Sequence, residues 1–171
     1  MLKKSVSGIV CRYKPLFESH WQVMILSPDQ GRFYALHRRQ TSTKAASHGH
    51  LEPTNIITAS VTHRRATSYI NHVTTDCIFP HIRHSYPRFE LAMYCLGIAI
   101  KITVVHQPNQ GLYDAIVATL TTLNDRPLTP PDSPDDIETL KQAFNYTVLK
   151  SEGLPLSSTE SYGDQMARYI L

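Results

Sequence analysis

Apolar and polar residues alternate with a period of two through the first half of the chain, and after Pro80 the period lengthens to about three and a half. Residues 4–13 hold the β-branched Val6 and Val10 in a strand-like run that Pro15 is expected to end. Residues 18–27 alternate Trp21, Val23 and Ile25 with Gln22, Met24 and Leu26 and predict a second strand. Pro28-Asp29-Gln30-Gly31 follows, with Pro suited to the first turn corner and Gly able to take positive φ. A returning strand over residues 32–39 completes a predicted hairpin. Residues 55–62 (NIITASVT) predict a fourth strand, His63-Arg64-Arg65 punctuates it, and residues 67–73 predict a fifth.

Beyond Pro80, Phe89, Met93, Leu96, Ile100 and Val104 fall at helical spacing, which predicts a buried helix from residue 86 or 87 to 105. The segment 107–111 (QPNQG) breaks it, and Leu112, Ile116, Leu120 and Leu123 mark a second helix. After a Pro-rich connection, Ser133 stands as N-cap, Pro134 as first helical residue, and Asp135 and Asp136 where the helix dipole favours acids. A third helix over residues 134–151 would bury Ile137, Leu140, Phe144 and Val148 and stop at Gly153. The pattern does not decide whether the final MARYIL is helical.

Strands followed by helices predict an α+β chain in two parts: a five-stranded OB-type barrel over residues 1–78 and a helical domain over 79–171. An SH3-like barrel is the alternative for the first part.

Charge separates the two parts. Residues 1–72 hold ten Lys and Arg against three acids, an excess of +7, and the remainder holds seven against eleven, a deficit of −4. An excess of that size on one small domain attracts a phosphate backbone in a salt-dependent way. The segment 31–53 concentrates it: a strand leads to Arg38-Arg39, then a polar loop with Lys44, His48 and His50. The candidate DNA contacts are Arg12, Lys14, Arg38, Arg39, Lys44, Arg64 and Arg65, with Tyr13, Trp21, Phe33, Tyr34 and Tyr69 as aromatics in the same domain and Trp21 assigned to its core. Single-stranded binders combine such cations with aromatic faces.

Other chemistries lack their residues. The three cysteines, Cys11, Cys77 and Cys95, are scattered, so neither a disulfide framework nor a zinc site is expected, and a reducing compartment fits best. His48-x-His50 and His81-x-x-His84 have no Cys pair or carboxylate at ligand spacing, and solvated loop histidines are the expectation. No GxxxxGK[ST], GxGxxG or GxSxG occurs, and no enzymatic role or cofactor is expected. No window reaches about eighteen uncharged apolar residues, so a cytoplasmic protein with no membrane partner is expected.

These residues, in order, resemble the bacterial recombination and repair protein family RecO. The likeness is carried by Gly8-Ile9-Val10, Glu18-Ser19, the turn 28–31, Arg38-Arg39 and Leu51-Glu52-Pro53 in the first half. In the second half it is carried by Phe89-Glu90-Leu91-Ala92, Leu112-Tyr113-Asp114, and Phe144, Val148-Leu149, Gly153 and Pro155. The resemblance spans residues 5–156. It implies an OB domain followed by a helical domain, binding of single- and double-stranded DNA, and annealing of complementary strands. It further implies association with RecR, and help in loading RecA on strands covered by single-stranded-DNA-binding protein, whose acidic tail such proteins contact. Arg38, Arg39 and Lys44 then sit where the family's basic loop meets DNA. Many relatives carry a four-cysteine zinc module after the residues matching 154–156; no cysteine follows Cys95 here, so the likeness is to a short form without zinc. Lys101, Lys141 and Lys150 are the candidates for a basic rim around an acidic tail. The alternative function is a protein-interaction adaptor whose basic barrel binds an acidic protein instead of DNA.

Overall fold

The structure, a computed structural model, describes residues 3–38, 49–126 and 133–171 of the chain. The chain forms two compact units, residues 1–78 with 103–108, and residues 79–102 with 109–171.

In the first unit, β1 (Lys3–Phe17), β2 (His20–Ser27), β3 (Gly31–Arg38), β4 (Ile56–Arg64) and β5 (Thr67–Cys77) close into a barrel in the order β1-β2-β3-β5-β4. All pairings are antiparallel except β3 with β5, which gives an OB-type barrel. One row of cross-strand partners runs from Lys3 through Thr62, Tyr69, Leu36 and Gln22 to Lys14. The row leaves β1 near its start and rejoins it near its end, which is the stagger a small barrel needs to close.

That closure explains the length of β1. Its first half, residues 3–9, pairs with β4, and its second half, residues 9–17, pairs with β2. The strand must bend between them, and Gly8 sits there: a Cβ would lie 2.4 Å from the Leu26 carbonyl oxygen. Pro15, expected to end the strand, lies inside it opposite Trp21. The β4 pairing has already stopped at Ile9, so Pro15 meets a ladder on one side only, where proline is tolerated.

The barrel interior is filled by Val6, Val10, Val23, Ile25, Phe33, Ala35, Ile57, Ala59, Val61, Ile70 and Val73. A short 3-10 turn, Gly49–Leu51, adds Leu51 to this core. Tyr13 packs against it and stacks on Trp21 with centroids 4.5 Å apart. His63 and Arg64, expected beyond the fourth strand, belong to it; the β4–β5 turn is Arg65-Ala66, with Arg65 at φ 55°.

The expected helix end at residue 105 is corrected: α1 (Tyr86–Ile102) stops earlier, because residues 103–108 return to the barrel unit. Val105 bridges Arg32, and the His106 N–H donates to the Arg32 carbonyl at 3.0 Å, capping the part of β3 that β5 does not reach.

The second unit contains α1, α2 (Gln110–Asp125), α3 (Pro134–Ser151) and α4 (Tyr162–Tyr169). The caps are those the residues demand: Asn109 accepts from the Leu112 N–H, Ser133 from Asp136, and Ser161 from Asp164. Gly153 at φ 70° ends α3, with the Leu154 N–H donating to the Leu149 carbonyl. The buried face of α1 keeps Leu96 of the expected stripe, with Ala92 and Ala99 beside it, but is otherwise turned away from it. Arg88, Leu91, Ala92, Cys95, Leu96, Ile98 and Ala99 are buried, whereas Phe89 is 42% exposed and Val104 lies outside the helix. The fully buried Arg88 donates to the carbonyls of Leu123 (2.9 Å) and Arg126 (3.1 Å), satisfying acceptors at the C-terminal end of α2. Phe144 and Val148 are buried as expected, while Ile137 and Leu140 are half-buried.

Candidate nucleic-acid interface

Strand alternation fixes which side chains leave the barrel. On β3, Phe33, Ala35 and His37 point inward and are buried; Arg32, Tyr34, Leu36 and Arg38 occupy the outer face. Cross-strand pairing extends that face. Arg12 lies beside Met24 and Met24 beside Tyr34; Lys14 lies beside Gln22 and Gln22 beside Leu36; His20 lies beside Arg38. Partners directly opposite share a face of the sheet, so Arg12, Lys14 and Arg38 join Arg32 on one surface.

An open groove of about 290 Å³ crosses this surface, lined by Leu16, Gln22, Tyr34, Leu36, Ala66 and Thr67 among others. Its lining runs from Leu16, near the end of β1, across β2 and β3 to the β4–β5 turn and the start of β5. The Arg32 guanidinium lies over the Tyr34 ring at 5.8 Å from its centroid. His20 meets the Tyr69 ring edge-on at 6.3 Å.

Acids in the described part of the unit are sparse and lie off the groove's lining. Glu18 is in the β1–β2 turn, Asp29 in the β2–β3 turn, and Glu52 directly after the 3-10 turn Gly49–Leu51. Asp76 accepts from the Thr58 hydroxyl at 2.7 Å and from Ser7 at 3.4 Å, on the side of the barrel formed by β1, β4 and β5.

The residues singled out from sequence separate accordingly. Arg12 and Lys14 are exposed on β1, Arg38 is exposed at the end of β3, and Arg64 and Arg65 are exposed at the β4–β5 turn. Arg39 and Lys44 lie outside the described residues, as does His48. Of the aromatics, Phe33 is core, Trp21, expected in the core, is half-buried and stacks on Tyr13, and Tyr34 is 36% exposed. Sequence reasoning missed Arg32 and Gln22, although the parity of β3 counted from Gly31 would have put Arg32 beside Tyr34.

The lysines of the second unit are dispersed. Lys101 is exposed in the last turn of α1, and Lys150 lies over the Tyr146 ring at 5.8 Å. Lys141 is 3.5 Å from Glu138 and 5.2 Å from the Tyr94 centroid. A groove of about 220 Å³ between α1 and α3 has Pro87, Leu91, Tyr94 and Ile137 as apolar lining, but Glu90 and Glu138 stand with Lys141 at its rim. That rim is mixed in charge, not basic.

His50 is tied to the Thr75 hydroxyl at 2.5 Å, and His81 to the Asn124 carbonyl at 2.8 Å. Among the described residues no group of three or more His, Cys, Asp or Glu gathers where a metal ion would fit, and no helix is long and apolar enough to cross a membrane.

No family model matches the chain. It is similar to the DNA repair protein RecO of Anaeromyxobacter dehalogenans strain 2CP-C, with 26% identity over 156 residues, 90% of this chain and 58% of the relative. RecO of strain 2CP-1 and RecO of Anaeromyxobacter sp. strain K match over the same span at 25% identity. The chain is thus RecO-like, and it spans 58% of the length of these curated relatives. One solved structure, titled "Crystal structure of putative exosome complex RNA-binding protein", aligns at a TM-score of 0.29 and 10% identity over 86% of this chain and 95% of that one.

Proposed function

We propose that this RecO-like chain is a non-enzymatic mediator in DNA repair and recombination that binds single- and double-stranded DNA through its barrel and anneals complementary strands. The single observation that supports this most is the outer face of β1, β2 and β3, where Arg12, Lys14, Arg32 and Arg38 share one surface with the exposed Tyr34. Arg64 and Arg65 flank it at the β4–β5 turn, and Arg39 and Lys44 follow Arg38 in sequence. Cations so placed neutralise phosphates on both strands being annealed and lower their mutual repulsion. They read no base sequence.

The cellular setting follows from the resemblance: a cytoplasmic protein that associates with RecR and helps load RecA on DNA covered by single-stranded-DNA-binding protein. Lys101, Lys141 and Lys150 are the proposed contacts for that protein's acidic tail.

Fluorescence polarisation of a labelled single-stranded oligonucleotide tests the reading, with the wild type compared to an Arg38→Ala/Arg39→Ala double variant at two salt concentrations. Weaker binding by the variant with a shallower salt slope is expected. Absence of binding by the wild type overturns the proposal. Competition with an acidic tail peptide separates it from the adaptor alternative, because an adaptor ignores the DNA.

A further inference from the structure

We propose that the groove beside Tyr34 takes one unpaired nucleobase, so that this face of the barrel grips an unstacked strand more tightly than a duplex. The inference rests on the DNA-binding reading above and adds a base subsite to what is otherwise a phosphate surface.

The lining is unlike that of a plain phosphate track. Leu16 and Tyr34 remain 40% and 36% exposed at this groove, with the half-buried Leu36 in its lining and the buried Met24 opposite Tyr34. Leaving such apolar surface in water is unfavourable, and a flat aromatic ligand would cover it. A side-chain amide, Gln22, and a hydroxyl, Thr67, lie at the same groove. An amide both donates and accepts, so Gln22 can meet the edge of any base without selecting one. The second hydroxyl, that of Ser68, is engaged with the His63 ring at 2.8 Å.

Position matches the same ligand. Arg32 over the Tyr34 ring places a cation beside the groove, Arg38 lies two residues beyond Leu36 on β3, and Arg65 immediately precedes the lining residue Ala66. A strand whose phosphates meet these cations would bring a base over the slot. Duplex bases are stacked on each other and present only edges in the grooves; turning one out costs a few kcal/mol. A single strand carries no such cost, and base–aromatic stacking then adds to affinity for that form alone.

The full chain is titrated against three fluorescent probes of equal length: an oligothymidine, an oligomer with the same backbone but abasic throughout, and a duplex. Tyr34→Ala is expected to weaken oligothymidine binding about tenfold while changing abasic and duplex affinity by less than about twofold. Tyr34→Phe keeps the ring and restores oligothymidine affinity. Circular dichroism confirms that both variants fold. If Tyr34→Ala leaves oligothymidine affinity unchanged, or weakens all three probes equally, the base subsite is wrong while the phosphate surface stands. Should the wild type bind none of the probes, the DNA reading itself fails. An acidic peptide that competes for the groove, with its binding abolished by Tyr34→Ala and no DNA bound, would assign the slot to a protein side chain instead.

Discussion

Gly31 and Gln107 approach so closely that a Cβ on the glycine would lie 2.0 Å from the Gln107 carbonyl oxygen. Gly31 also has φ 68°, so one residue serves the β2–β3 turn and the docking of the segment 103–108. Gly31→Ala is therefore expected to cost more than the roughly 1 kcal/mol of a strained left-handed alanine. Gly153→Ala is the control, since Gly153 has φ 70° and open space around it. Urea unfolding should show the larger loss for Gly31→Ala, and faster exchange of the His106 amide should accompany it.

Arg88 is expected to be the most sensitive position of the helical unit. Its guanidinium is fully buried and serves two carbonyls at the C-terminal end of α2. Arg88→Ala leaves those acceptors unpaired and a cavity behind, and should cost about 3–5 kcal/mol in urea unfolding. An Arg88→Lys variant that unfolds at the wild-type urea midpoint would contradict the role assigned to the two hydrogen bonds.

Single removal of the barrel cations should lower DNA affinity with a common signature. Arg12→Ala, Arg38→Ala or Arg65→Ala should each reduce the slope of log K against log salt by about one, uniformly across sequences. Lys150, held over Tyr146 in the other unit, is expected to leave the slope unchanged when replaced by alanine. A base-dependent effect of Arg38→Ala would contradict a phosphate contact.

Burial pushes the Cys11 thiol from 9.0 up to about 12, opposed by a smaller backbone hydrogen-bond effect at Leu26. Burial also raises Cys95. The folded state therefore holds these protons more tightly than the unfolded state. The linked stability is fully present below about pH 9 and is lost as the pH rises from there towards 12. Urea midpoints measured from pH 8 to 11 should fall, and Cys11→Ala should flatten the fall. At neutral pH a thiol reagent should modify exposed Cys77 in the native protein, with Cys11 and Cys95 reacting only on unfolding.

The elements legible in the sequence were those whose determinants are local. The β2–β3 hairpin follows from alternation on both sides of the 28–31 turn, and the start of α3 from Ser133, Pro134 and the two aspartates. The end of α3 follows from Gly153. Arg12, Lys14, Arg38, Arg64 and Arg65, expected at the surface, are exposed; charge alone does not ensure this, since Arg88 is fully buried.

What the tertiary structure decided were the relations between distant residues. Pro15 reads as a stop until the β4 pairing is seen to end at Ile9. The helical stripe through Phe89 and Ile100 is as regular as the buried one through Leu91 and Cys95, and only the neighbouring helices select between them. Residues 103–108 open with the β-branched Thr103, Val104 and Val105, but Val104 also continues the helical spacing from Phe89. The partner that decides between the two, Arg32, lies some seventy positions earlier. The same holds at the candidate groove. A period of two establishes that Phe33 and Tyr34 face opposite ways, but not which is inside. Closure of the barrel around Phe33 settles that, and leaves Tyr34 facing water among cations, because burying one face of a strand fixes the other.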